Sequence, residues 1–164
     1  MAIVKEVPEV WKDNVDRLWR AACRSYAIIW GLFGNGMKEL GTDGIEALKK
    51  AMRKVAEMQA PKAFESGRFE RNARGMAKYM EFADGTLGMF VEVPEATERR
   101  AVFRILKCPL YEEPRRDTTI EVCDANSEFE RTASKIANPK LECGVTKLLT
   151  KGDPFCEWVF ELKE

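Results

Sequence analysis

The chain has 164 residues, a one-domain length with room for a core. Apolar residues make up 45% and charged residues 33%, an ordinary globular balance that excludes a disordered chain. Lys plus Arg equals Asp plus Glu at 27 each, so there is no basic excess to recruit nucleic acid, and no run nears the roughly 20 apolar residues of a membrane span.

The first six residues lack a basic region followed by an apolar run, so no secretory signal is expected and the reading is a soluble cytoplasmic protein. Five cysteines without such a signal read as free thiols rather than a disulfide framework. There is no histidine, which removes the commonest general base and the usual imidazole metal ligand.

The N-terminal half reads as helical. From Pro8, the residues Trp11, Val15, Leu18, Trp19, Ala22, Tyr26, Ile29, Trp30 and Phe33 recur at three- and four-residue steps, and Gly34-Asn35-Gly36 is the expected stop. If the stripe of Trp11, Trp19 and Trp30 exceeds what one sheet face can cover, it buries against a second copy and the chain is a homo-oligomer. A second helix is expected from Asp43, with Glu46 completing a capping box and Pro61 closing it. A third is expected from about Gly67 to Phe82, on the spacing of Phe69, Ala73, Met76, Ala77 and Met80.

At Asp84-Gly85 the period changes. Met89–Val93 and Arg100–Lys107 read as a hairpin joined by a polar loop. The second strand is apolar on both faces and so central, except at Arg104, which either snorkels to water or faces a cavity and holds an anion. Pro109 ends that strand. After a polar loop to Asp117, Thr118–Glu121 is a capping box opening a helix to about Ala137, with a stripe of Val122, Ala125, Phe129, Ala133 and Ile136. A strand from Leu141 to Thr150, a Gly152-Asp153-Pro154 turn and a terminal strand follow. In that last strand Cys156, Trp158, Phe160 and Leu162 alternate with Glu157, Val159, Glu161 and Lys163. The expected architecture is a single α+β domain over 1–164. Its helical half is 1–85 and its ββαββ half 86–164, with an antiparallel sheet covered on one face by helices.

Several C-terminal motifs carry a resemblance: Cys108-Pro109-Leu110, Cys123-Asp124 early on a helix, Asn138-Pro139, Thr146 through Leu149, and Gly152-Asp153-Pro154-Phe155-Cys156-Glu157-Trp158. From about Gly88 to Lys163 this half resembles the L-2-amino-thiazoline-4-carboxylate hydrolase family. That resemblance implies a hydrolase opening a cyclic, amidine-like, carboxylate-bearing small molecule at a C–N bond. The tail is also similar to the 4-vinyl reductase domain, a small-molecule-binding module of aromatic-compound sensors. Those sensors bind zinc through residues upstream of the tail, and here the corresponding positions are Leu148 and Val145, which are not ligands.

Cys108, Cys123 and Cys156 match the recurring family cysteines; Cys143 and Cys23 do not. Cys108 falls at a strand end, Cys156 at a strand start and Cys123 near a helix start, so the three could gather at one edge of the sheet. Three readings stay open: buried hydrophobes, a catalytic thiol, or a thiolate-bound metal ion. For hydrolysis Cys123 is the first choice of nucleophile, because a helix N-terminus favours the thiolate, with Cys108 and Cys156 as alternates. Without histidine the proton carrier would be Asp124, Glu112, Glu128 or Tyr111, and Arg104 could pair with a substrate carboxylate. The rival is a non-catalytic pocket for an apolar or aromatic small molecule.

Overall fold

A computed structural model describes residues 15–111 and 118–164. Pro8, Trp11, Glu112 and the start of the first helix lie outside the described residues. The elements are α1 (Val15–Glu39), α2 (Thr42–Glu65), α3 (Ala73–Thr86), β1 (Phe90–Ala96), β2 (Arg100–Lys107), α4 (Ile120–Asn126), α5 (Glu128–Ala137), β3 (Leu141–Lys147), a 3₁₀ turn (Leu149–Lys151) and β4 (Cys156–Leu162).

The four strands form one antiparallel sheet in the order β1-β2-β4-β3. β2 is interior, as its two apolar faces predict, and pairs with β4 in a register that sets Phe103 opposite Trp158, Arg104 opposite Glu157 and Ile105 opposite Cys156. The helices cover one face: α3 lies over β1 and β2, and α5 over β3. The core between them holds Phe103, Trp158 and Phe160 from the sheet and Met76 and Met80 from α3. Burying these side chains stabilises the fold by about 1.5–3 kcal/mol each. The opposite face is polar, as a one-sided antiparallel sheet requires. There Arg104, Glu92 and Glu157 form an ion-pair network.

Several element ends differ from the sequence expectation. α1 runs through Gly34 and Gly36 to Glu39. Gly34 serves close approach rather than termination, since a Cβ there would stand 2.6 Å from Cγ1 of the fully buried Val122 on α4. α2 continues past Pro61 for four residues to Glu65. The ring removes one helical hydrogen bond, but the last turn buries Phe64 against Phe69 and Tyr79. The cap of α2 is Gly41 and makes no side-chain bond, so the Asp43–Glu46 box is not used. α3 starts later, where the Asn72 side chain accepts from the Gly75 N–H.

The single helix expected over 118–137 is two, broken at Ser127, whose hydroxyl donates to the Cys123 carbonyl. Thr119 takes the cap position of α4 without a side-chain bond, so the Thr118–Glu121 box is also unused. On α1, Trp19 donates its indole N–H to the Thr86 carbonyl at 2.9 Å, and Trp30 stacks on Tyr26. Val15, Trp19, Tyr26, Ile29, Leu32 and Phe33 are large apolar side chains exposed on that helix.

Candidate functional site

Between α1, α2, α3 and α5 lies a cavity of about 490 Å³. Tyr26 and Trp30 of α1 form one side, Met52, Val55 and Gln59 of α2 another, and Tyr79 and Phe82 of α3 a third. Met89, Leu110 and Phe129 add apolar surface. The wall is mostly hydrocarbon and aromatic, the usual lining of a small-molecule site.

Two carboxyl groups break this wall. Asp84, on the last turn of α3, is 7% exposed, and so is Glu130 on α5. Oδ2 of Asp84 and Oε2 of Glu130 have no hydrogen-bond partner among the described residues. Burial pushes the Asp84 carboxyl up to about 7. Burial, and then the neighbouring charge of Asp84, push Glu130 up to about 8. Two acids whose ionised forms repel in a poorly solvated space hold on to a proton near neutral pH. A third buried acceptor, Oδ1 of Asn126, also lines the cavity unpartnered. Among the described residues no lysine or arginine lines the cavity.

The sequence signal for these acids is positional. Asp84 stands four and eight residues after Met80 and Met76, on the buried face of α3. An expected helix end at Phe82 leaves it in a turn. Glu130 shares a buried face with Ala133, Ser134 and Ala137. The break at Ser127 turns that face inward, and a continuous helix from Thr118 would not single it out.

Cys108, Cys123 and Cys156 are brought into one neighbourhood, on the sheet side of the cavity. They belong to a single hydrophobic cluster, and the charge of one thiolate would be felt by the others. Burial pushes Cys108 and Cys156 up to about 12. It raises Cys123 as well, against the pull of the Thr118 hydroxyl 3.7 Å away. Cys123 is the fourth residue of a seven-residue helix, beyond the N–H groups that would favour its thiolate. All three are therefore neutral thiols at neutral pH, and Cys156 accepts a bond from the Leu149 N–H at 3.2 Å. Among the described residues no group of three or more Cys, Asp or Glu is placed to hold a metal ion.

The other sequence candidates lie elsewhere. Arg104 is on the polar sheet face, bonded to Glu157 at 2.6 Å and Glu92 at 3.1 Å, with its guanidinium 4.5 Å from the Phe155 ring centroid. Asp124 pairs with Arg131 at 3.0 Å, and Glu128 with Arg53 and Arg131 at 2.8 Å. Tyr111 follows the β2 end, its N–H donating to the Cys108 carbonyl at 2.9 Å. None of these lines the cavity.

Fold and cavity together define an α+β domain with an acid-bearing apolar cavity between its helices. The chain belongs to the L-2-amino-thiazoline-4-carboxylic acid hydrolase family, whose model matches residues 22–160. No curated protein matches it. Among solved structures, the chain is similar to a trafficking protein particle complex subunit 3 from Naegleria fowleri, covalently bound to palmitic acid. The two share 15% identity over 88% of this chain and 97% of that one, with a TM-score of 0.59, a likeness of fold. Among the described residues no helix is long and apolar enough to cross a membrane.

Proposed function

We propose that the protein is a hydrolase of a small cyclic substrate carrying an amino-substituted C=N carbon, and that the reaction centre is the helix-walled cavity with Asp84 and Glu130 as its acid–base pair. The carrying observation is that two buried, unpartnered carboxyl oxygens line one apolar cavity. Family membership supports the reaction class.

One carboxyl of the pair is ionised and the other protonated when the pair holds a single proton. The carboxylate takes a proton from water as the water oxygen bonds to the C=N carbon. The carboxylic acid gives its proton to the nitrogen that receives the C=N electrons. In the collapse of the tetrahedral adduct its hydroxyl proton returns to the second carboxylate. The ring bond from carbon to the leaving heteroatom, nitrogen in the sequence reading, breaks as the first acid reprotonates that atom. One water is consumed and the pair ends as it began. In the cysteine-centred alternative the hydrogen bonds that favour a thiolate at Cys108, Cys123 and Cys156 are outweighed by burial.

The test is hydrolysis of 2-amino-thiazoline-4-carboxylate by wild type, Asp84→Asn, Glu130→Gln and Cys123→Ser. The expected result is a loss of at least about 100-fold in either carboxyl variant, the usual scale of acid–base catalysis, and retained turnover in Cys123→Ser. Turnover that survives both carboxyl variants, or vanishes only with the cysteine, overturns the assignment.

The second reading is a binding module without turnover. The apolar wall and the fold likeness to a structure holding palmitic acid favour it. Tight binding of a fatty acid together with no hydrolysis by wild type would select it.

A further inference from the structure

The unsatisfied groups of the cavity are all of one kind. When ionised, Asp84 Oδ2 and Glu130 Oε2 are acceptors without donors among the described residues, each on a side chain more than nine-tenths buried. The Asn126 side chain lines the same cavity, with its oxygen also unpartnered among the described residues. A buried acceptor left unmade costs about 1–3 kcal/mol, so a ligand that brings N–H groups to the ionised pair is favoured there. Among the described residues no basic side chain of the wall does so. Arg68, stacked over Phe82 at 4.0 Å, touches a lining ring but is not itself in the lining.

We propose that the cavity is a receptor for an organic cation, an amidinium, guanidinium or ammonium group on an apolar body, held by Asp84 and Glu130, and that it rejects an anionic carboxylate from its interior. This rests on the cavity being the site and adds its charge selectivity. The planar fork of an amidinium offers parallel N–H donors to two carboxyl oxygens, and its body meets Trp30, Tyr79 and Phe129. Among the described residues an anion would meet two acids and no cation. A substrate with its own carboxylate must therefore keep that group outside the acid-lined interior.

Binding a cation to this pair expels a proton. Empty, the pair keeps protons because burial and mutual repulsion disfavour charge. The groups that face it reinforce that state. Tyr26 of α1, Tyr79 of α3 and the thiol of Cys108 past β2 are neutral neighbours of Asp84. Cys123, Cys143 and Cys156 are neutral neighbours of Glu130. Arg131 and Glu128, on the same helix as Glu130, act on it in opposite senses. A bound cation reverses the balance, so affinity should rise about tenfold per pH unit while one proton is displaced and level off once the pair is ionised.

The probe is benzamidine, against benzoate as the anionic isostere, in titration calorimetry of the full chain. Measurements run from pH 5.5 to 9 in two buffers of different ionisation enthalpy. The expected results are benzamidine binding at least tenfold tighter than benzoate, proton release that fades towards pH 9, and a tenfold or greater loss of benzamidine affinity in Glu130→Gln. Equal binding of the two probes, or benzamidine affinity unchanged in a folded Asp84→Asn/Glu130→Gln double variant, overturns the proposal. Benzamidine binding with no hydrolysis by wild type would sink the hydrolase reading alone. Hydrolysis that benzamidine cannot inhibit would sink the cation receptor alone.

Discussion

Replacing Glu130 with glutamine keeps its size and removes the charge that the cavity disfavours most. The wild-type carboxyl is raised from 4.5 to about 8 in the folded chain by burial and by Asp84. In the unfolded chain it loses its proton near its ordinary value. As pH rises from about 4.5 to about 8, the unfolded state deprotonates first while the folded state holds the proton. Stability therefore falls across that window and levels off above it. Each pH unit contributes about 1.4 kcal/mol, so the full window is worth a few kcal/mol. Glu130→Gln removes this dependence. Thermal unfolding followed by circular dichroism should show the variant and wild type close together at pH 5. By pH 8.5 the variant should melt higher by roughly 5–15 °C, taking about 2–4 °C per kcal/mol for a chain of this size. Parallel pH profiles for the two proteins would refute the reasoning, because they would mean the buried carboxyl carries no desolvation cost. The same substitution should abolish turnover, the exchange of stability for activity expected at a functional acid.

Arg104→Met should cost about 1–3 kcal/mol by denaturant titration, because Glu157 would lose its 2.6 Å partner. It should leave KM unchanged, whereas a large rise in KM would restore Arg104 to the substrate. Gly34→Ala sets overpacking against Val122, worth about 1–3 kcal/mol, against a helix-propensity gain of about 1 kcal/mol. A net loss is expected, and Val122→Ala in the same chain should recover it. The thiols of Cys108 and Cys156, pushed up to about 12, should react with a chromogenic disulfide reagent only on unfolding. Rapid reaction of either in the native protein would show that it is not buried as a neutral thiol.

Local pattern was enough for much of this protein. The alternation from Cys156 to Leu162 placed a strand with one apolar face, and the apolar run over Arg100–Lys107 placed β2 in the sheet interior, because period and composition are properties of neighbouring residues. The positions of Cys108, Cys123 and Cys156 at element ends suggested a gathering, and the three share one hydrophobic cluster. Helix ends were less legible. Gly34 and Pro61 read locally as stops, but burial against Val122 and of Phe64 carried each helix past them. The chemistry was hidden for the same reason. An acid on a helix reads as solvated until other elements close over it, and the meeting of α1, α2, α3 and α5 around Asp84 and Glu130 is a long-range event. Sequence by itself determined the α+β class, the strand faces and the free thiols. Tertiary packing alone decided that those thiols stay protonated and that Asp84 and Glu130 line one chamber without a cation among its described wall residues, since desolvation and charge repulsion depend on distances the chain order does not contain.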